Sequence, residues 1–271
     1  MIQLHVGNSF ELIKDVASDS VDLVMTDVPY PDSEIHDGSP TIISCDDWVD
    51  WFQPMLIEIV RVLKDGGSFV TTFNSKDDRA CFHKWVAAAD DVSWTCPFHY
   101  VMTYFWQKRN LIPGPREQMR VPRDSVDFIA HFAKGEPKVR VTAIEDWSVY
   151  NPATHIPTNI IHATVKADES YWLARKQTGV NHRGKYPAMI PDFFIRLMTD
   201  PGDVVLEPFN GTGTTTLKAE QLGRRSVGFE VSESNVKLSR RIYEIENVRY
   251  KLTRHGRINS NQVPRAFALA G

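Results

Sequence analysis

Thr26-Asp27-Val28-Pro29-Tyr30 brings a carboxylate, a proline turn and an aromatic ring together at the end of an apolar run, Val21-Asp22-Leu23-Val24-Met25. The run is short, rich in β-branched residues and bounded by polar ones, which is the pattern of a buried strand. In an open α/β sheet the C-terminal tip of such a strand is where ligands bind. An exocyclic amine on a nucleobase is a poor nucleophile because its lone pair is delocalised into the ring, so its N–H groups must be held by acceptors that favour a tetrahedral nitrogen. Asp27 offers a carboxylate and Val28 a backbone carbonyl. Pro29 fixes its own φ and lacks an N–H, which keeps the turn an acceptor surface, and Tyr30 offers a flat face for a base. Taken alone these residues favour a plain strand-to-loop junction, where Asp, Pro and Tyr are common. The chemistry requires a partner motif.

That partner lies far along the chain. Val204-Val205-Leu206 reads as a strand running into Glu207-Pro208-Phe209-Asn210-Gly211-Thr212-Gly213-Thr214-Thr215, followed by a helix over 216–222, a strand over 226–230 and a helix over 234–245. This is a β-α-β-α unit. Glu230 ends its strand where a carboxylate can hold both hydroxyls of a ribose bound over the glycine turn. A dinucleotide site would want a third glycine facing pyrophosphate; here Gly-x-Gly is followed by threonines, and a nucleoside ligand without phosphate fits better.

The elements that must position these two tips alternate in the manner of a parallel sheet. A strand at 3–6, a short helix at 10–13 and the strand ending at Asp27 open the chain. A polar loop over 31–44 follows, suited to close over a substrate. Apolar residues recur at helical spacing from Trp48 to Leu63, and Lys64-Asp65-Gly66-Gly67 is expected to end that helix as a turn before a strand over 68–73. A helix over 78–89 and two strands, 99–107 and 125–132, follow, the last two expected to be antiparallel at the sheet edge. Between them Lys108, Arg109, Arg116, Arg120 and Arg123 stand against the single acid Glu117 in a Pro- and Gly-punctuated loop, a composition suited equally to phosphate contact and to a solvated loop. The stretch 135–186 breaks the rhythm and carries Arg175, Lys176 and Arg183 with several aromatics, as a recognition insertion or a structural lid would. After Glu246 the chain is basic, and from Asn259 it loses pattern; frayed, solvated termini are the commoner form of such a tail.

Composition narrows the class. The chain has 271 residues, 42% of them hydrophobic, and a net charge of −3, which suits one domain with an elaboration. No apolar run approaches the length of a membrane span and the N-terminus lacks a signal-peptide layout, so the expectation is a soluble, intracellular protein. Cys45, Cys81 and Cys96 have no metal-ligand spacing, and no metal is expected. C5-cytosine chemistry would want a nucleophilic cysteine after a proline, and here the order is Cys96-Pro97.

With both tips in hand, the chain resembles the S-adenosylmethionine-dependent DNA amino-methyltransferases of the permuted β class. In that family an Asp/Ser-Pro-Pro-Tyr motif precedes a Phe-x-Gly-x-Gly motif with a recognition segment between them. Gly202 to Thr215 is the most specific part of the match, Val62 to Ser68 looks like the family's helix-to-strand junction, and Gly223 to Glu230 like its ribose-binding strand. The resemblance implies a circularly permuted, Rossmann-like α/β fold, a seven-stranded sheet with helices on both faces. It implies a catalytic half over 1–135, a target-recognition insertion over 136–185, a cofactor half over 186–250 and a basic tail over 251–271. Asp27, Val28, Pro29 and Tyr30 would be catalytic. Asn8, Asp27, Glu207, Phe209, Asn210, Gly211, Gly213, Thr214, Thr215 and Glu230 would bind S-adenosylmethionine, and Lys108, Arg109, Arg116, Arg120, Arg123, Arg175, Lys176 and Arg183 would bind DNA.

The implied reaction is direct methyl transfer to a flipped base, adenine N6 being favoured by Asp27 and cytosine N4 the alternative. Val28 replaces the usual proline, Glu207 an Asp, and Asn8 the Asp of a Gly-Asp pair; none of these looks disabling. An RNA or protein methyltransferase would share the cofactor half, yet the glutamine enzymes place the glycine motif first and carry Asn-Pro-Pro-Tyr at the tip. A non-catalytic DNA-binding relative is set against by the intact Asp27, Gly211, Gly213 and Glu230. By the same resemblance the protein would be bacterial or phage-encoded, cytoplasmic and nucleoid-associated, a homodimer, and accompanied by a restriction endonuclease.

Overall fold

The computed structural model describes residues 1–29, 45–73, 84, 86–87, 98–108, 125–144, 150–151, 156–163, 168–182 and 186–255. Strands β1 (Ile2–Val6), β2 (Val21–Asp27), β3 (Leu63–Phe73), β4 (Phe98–Lys108) and β5 (Val126–Lys134) come from the first half of the chain. A small pair, β6 (Tyr150–Asn151) and β7 (Ile156–Pro157), stands apart, and β8 (Ile160–Ala163), β9 (Val204–Glu207), β10 (Arg225–Glu230) and β11 (Tyr250–Arg254) complete the set. Nine strands form one sheet in the order β11-β1-β10-β9-β2-β3-β5-β4-β8. All pairings are parallel except those of β5 with β3 and β4. The expected seven-stranded sheet is the inner run from β1 to β4, with β11 and β8 added at its two edges.

The helices are α1 (Ser9–Leu12), α2 (Cys45–Val62), α3 (Glu169–Thr178), α4 (Met189–Met198), α5 (Thr214–Gln221) and α6 (Glu233–Ile245). Strand β2 is apolar on both faces because both are covered. Val24 and Val28 join Trp48, Phe52, Met55 and Ile59 of α2, while Leu23 and Met25 join Phe193, Phe194 and Leu197 of α4 on the other side. The amphipathic reading of the segments that became α2 and α4 therefore gives the two layers directly.

The sheet is clipped at the end opposite the site by one buried carboxylate. Asp22 of β2 receives Lys64 Nζ of β3 at 2.7 Å and the Val204 N–H of β9 at 2.9 Å, so three neighbouring strands are registered through one side chain. Register then carries upward: Leu23 faces Val205, Val24 faces Leu206, and Asp27 faces Thr72. From β9 the chain winds outward through α5 and β10, and from β2 through α2 and β3 in the other direction. The strand order reverses between β9 and β2, which opens a crevice at their C-terminal ends.

Several expectations change. Lys64 to Gly67, expected as a helix-ending turn, is drawn into β3; Gly66 takes φ 77° and the β2–β3 register shifts between Val21 and Leu23. Strand β4 is not an edge, since β8 pairs with it. The stretch expected to break the rhythm supplies that strand and also α3, whose Tyr171 and Ala174 pack on Leu238 and Ile242 of α6. Residues 250–254 of the basic tail are ordered as β11 against β1, because Tyr250 and Leu252 close a small cluster with Ile2, Leu4 and Val6. The loop over 31–44 lies outside the described residues, as does most of the helix expected over 78–89.

Phe194 is fully buried and stands edge-on to both Tyr104 at 4.9 Å and Phe193 at 5.0 Å. Phe194→Ala should lower the free energy of unfolding by about 3–5 kcal/mol in equilibrium urea denaturation, the range for a buried aromatic truncated to alanine. A loss below about 1 kcal/mol would contradict the packing described.

Candidate active site

The crevice between the tips of β2 and β9 holds the residues that the sequence singled out. Asp27 is half-buried at the end of β2, and its Oδ1 accepts a hydrogen bond from the Thr72 hydroxyl on β3. The Val28 side chain is buried in the α2 layer, which leaves the backbone as the part able to act on a ligand. The Pro29 carbonyl accepts from the indole N–H of Trp48 at 2.6 Å. Trp48 is itself fixed in α2 between Phe52 and Phe73, so the turn after Asp27 is tied to a rigid helix. Tyr30 lies outside the described residues.

Across the crevice, the glycine turn is held from beneath. Gly213 takes φ 77° and its Cα lies so close to Tyr243 that an added Cβ would sit 2.0 Å from the phenolic oxygen; no other residue fits. Gly228 of β10 has the same duty from the sheet side, since a Cβ there would meet Asn210 Oδ1 at 2.5 Å. Asn210 Oδ1 accepts from Thr216 Oγ1 at 2.8 Å, which folds the turn onto the first residues of α5. Thr214 and Thr215 are both buried, and Thr214 Oγ1 shares a hydrogen bond with Thr212 Oγ1 at 3.1 Å. Phe209 is partly buried against Phe10 and Trp51.

Two carboxylates sit behind this turn. Glu230 Oε2 accepts from the Gly211 N–H at 2.7 Å and Oε1 from the Ser232 N–H at 2.8 Å. Burial nonetheless pushes its carboxyl up to about 7, because desolvation outweighs those donors. Glu207 Oε2 accepts from Thr215 at 2.9 Å and from the Tyr186 hydroxyl at 3.2 Å, and Oε1 from the Phe209 N–H at 3.1 Å. Burial raises it to about 8, and the charge of Asp27 pushes the same way. The Tyr186 hydroxyl, also bonded to Thr215, is driven well above its ordinary range by burial and by Glu207. At neutral pH this corner is a set of shared protons with little net charge.

Asn8 caps α1, its Oδ1 accepting from the Phe10 N–H at 2.9 Å, and its amide group stands at the exit of β1 beside β10. His182 was not singled out by the sequence; its ring lies over Gly211 and its Nδ1 is 3.1 Å from Asn235 Oδ1. Asn235 in turn reaches Glu230 Oε1 at 3.4 Å. Tyr186, Thr72 and Trp48 were also missed. Of these, only Tyr186 carried a signal, a polar-tipped aromatic just before the prolines that open α4.

The basic residues divide. Lys108 pairs with Asp127 at 2.7 Å and lies over the Trp106 ring, so its charge is held inside the fold. Arg175 stacks on the exposed Trp172, and Lys176 is exposed on α3. Arg109, Arg116, Arg120, Arg123 and Arg183 lie outside the described residues.

A family model described as DNA methylase, that of the N6/N4 methyltransferases, matches residues 21–241. The chain belongs to this DNA methylase family. Among its relatives is the type II methyltransferase M.PvuII of Proteus hauseri, 27% identical over an alignment covering 87% of this chain and 82% of that protein. The DNA adenine methyltransferase YhdJ of Escherichia coli K12 is 22% identical over 88% of this chain and 81% of its own length. The fold matches a solved PvuII DNA methyltransferase (cytosine-N4-specific) with TM-score 0.72 at 23% identity, over 92% of this chain and 94% of that one. It matches a DNA modification methylase of Thermus thermophilus, solved with S-adenosyl-L-methionine, with TM-score 0.65 at 20% identity, over 95% and 100% of the two chains.

S-adenosylmethionine is the cofactor of this DNA methylase family, and the donor set described here suits it. A buried carboxylate ends β10 beside a glycine turn that has no third glycine for a pyrophosphate, which fits a ribose whose hydroxyls would add the hydrogen bonds that Glu230 lacks.

The raised carboxyl of Glu207 has a stability consequence with a definite sign. Its folded value of about 8 lies above the ordinary 4.5, so the native state holds a proton that the unfolded chain releases between those values. Stability should therefore fall as pH rises from about 4.5 to about 8. Glu207→Gln, which keeps the shape and cannot ionise, should flatten that decline and raise the melting temperature at pH 8 relative to the parent. A mutant curve parallel to the parent's over this window would count against the burial described.

Proposed function

We propose that this DNA amino-methyltransferase acts on the N6 amine of adenine, with Asp27 and the Val28 carbonyl as the acceptors that hold the amine. The observation that carries the reading is the adjacency of two strand tips, Asp27 on β2 and the glycine turn after Glu207 on β9, in one crevice. Glu230, Gly211 and Asn8 are the residues that would hold the nucleoside part of S-adenosylmethionine, and bound there it supplies an electrophilic methyl group. A base must leave the duplex to reach Asp27, and Tyr30 is the residue to stack on it.

The chain's own contribution is alignment and charge. Trp48 and Thr72 fix the acceptors in place before substrate arrives, so little reorganisation is left for the reaction itself. The amine becomes cationic as it is methylated and then sheds one proton; the Asp27 carboxylate stabilises the first state and takes the proton directly or through water. Glu207 is kept largely protonated by burial and does not compete as a base at neutral pH. Arg175 and Lys176, with Arg109, Arg116, Arg120, Arg123 and Arg183, are proposed to meet the phosphate backbone. Restriction-modification, a companion endonuclease and a homodimer complete the reading, and the type II relative M.PvuII supports the first.

A second reading, cytosine N4, is favoured by the fold match to the cytosine-N4-specific PvuII enzyme. Both amines would be held by the same acceptors. Mass spectrometry of nucleosides from DNA of cells expressing the protein separates them: N6-methyladenine is expected, absent with Asp27→Ala. N4-methylcytosine alone would overturn the adenine assignment, and methylation by Asp27→Ala would overturn the role of Asp27.

Ribose binding by Glu230 makes a further prediction. Hydroxyl donors favour the ionised carboxylate, so S-adenosylmethionine affinity in isothermal titration should tighten as pH rises through about 7. Glu230→Gln should bind on the order of 10- to 100-fold more weakly and with a flat pH dependence. Parent-like affinity in the variant would remove Glu230 from the cofactor site.

A further inference from the structure

The catalytic tip is supported by a neighbour that sequence patterning assigns to the core. Strand β3 runs parallel to β2 with Thr72 directly opposite Asp27, so their side chains leave the sheet on the same face. Thr72 is only 3% exposed, and its hydroxyl donates to Asp27 Oδ1. Its neighbour Thr71 points to the other face, is fully buried, and has a hydroxyl with no hydrogen-bond partner among the described residues. Strand propensity and packing explain Thr71. They do not explain why Thr72 directs its donor at a carboxylate.

We propose that Thr72 is a positioning residue for methyl transfer, its hydroxyl locking the Asp27 carboxylate in the orientation that holds the target amine. The inference rests on the reading of Asp27 given above. A carboxylate on two rotatable bonds at a half-exposed strand end samples several orientations, and a donor fixed to one oxygen selects among them. Threonine suits this duty because its β-branch restricts χ1, so the hydroxyl is placed by the strand itself. The donor also favours the ionised carboxylate that the amine requires. The other groups facing Asp27 among the described residues, Glu207 from β9 and Tyr186 from the segment before α4, supply no such help: each is affected unfavourably by the charge of Asp27. Thr72 is the donor that offsets them.

The test compares Thr72→Val, which keeps the shape and removes the hydroxyl, with Thr72→Ser, which keeps the hydroxyl. Full-length proteins are assayed for methyl incorporation into unmodified genomic DNA from pH 5 to 9, with Asp27→Ala as reference. For Thr72→Val, kcat should fall about 10- to 100-fold, the effect of losing a hydrogen bond to a charged group, with the KM for S-adenosylmethionine within about 2-fold of the parent. The acidic limb of its pH profile should move to higher pH by about one unit, because the carboxylate has lost a donor. Thr72→Ser should restore both readings. Thr72→Ala serves in place of Thr72→Val if that protein does not fold, since it also lacks the hydroxyl. Parent-like kcat and an unmoved acidic limb in the hydroxyl-less variant overturn the inference, as does a Thr72→Ser protein impaired as badly with no shift of the limb. If Asp27→Ala is inactive while Thr72→Val behaves as the parent, the role of Thr72 alone falls. If Asp27→Ala methylates, the reading of Asp27 falls and takes this inference with it.

Discussion

Everything functional in this protein depends on β2 lying beside β9. The two strands come from opposite ends of the chain, and their pairing rests on the apolar packing of both faces and on Asp22, which ties β2 to Lys64 and to the Val204 N–H. Burying an acid there is tolerated because a cation and a backbone donor share it. The consequence appears at the other end of the strands. Register fixed at Asp22 sets Asp27 opposite Thr72 and brings the glycine turn alongside, so the geometry of the crevice is decided about a strand's length away from it.

The site built on that register relies on buried polar groups. Glu207, Tyr186 and Thr215 form a closed hydrogen-bonded set under the glycine turn, and Asn210, Thr216 and Tyr243 form a second under Gly213. Each is satisfied internally, which makes the turn rigid in place of the usual apolar filling. The same burial makes Glu207 and Glu230 reluctant to ionise. The two carboxyls therefore differ in use: Glu207 keeps its proton to hold the fold, whereas Glu230 stands where new donors from a nucleoside would draw its proton off.

Much of this was legible in the residues. The apolar run ending at Asp27 and the run ending at Glu207 each announce a buried strand, and Gly211 and Gly213 announce a turn, because short-range sterics and burial leave few alternatives. The two layers of helix followed from the spacing of Trp48 to Leu63 and of the α4 residues. What escaped was set by long-range packing. Thr72 reads as one more β-branched strand residue, and only its register with β2 turns it toward a carboxylate. His182 and Tyr186 sit in a stretch without period, and Tyr250 to Arg254 looked like a charged tail until Ile2 and Leu4 supplied an apolar floor. Lys108 belonged by charge to a basic loop, yet Asp127 on the neighbouring strand claims it.

The separation of the two tips in the chain bears on how the protein is made. Asp22 and Val204 are 182 residues apart, so the pairing that creates the crevice is among the last contacts a growing chain can form. Translation exposes the Asp27 end early and delivers the glycine turn and Glu230 late. A ribosome that stalls midway releases a fragment with an acceptor tip and nothing beside it. Completion of synthesis is thus a built-in checkpoint: competence arrives in one step, with the final strands of the sheet.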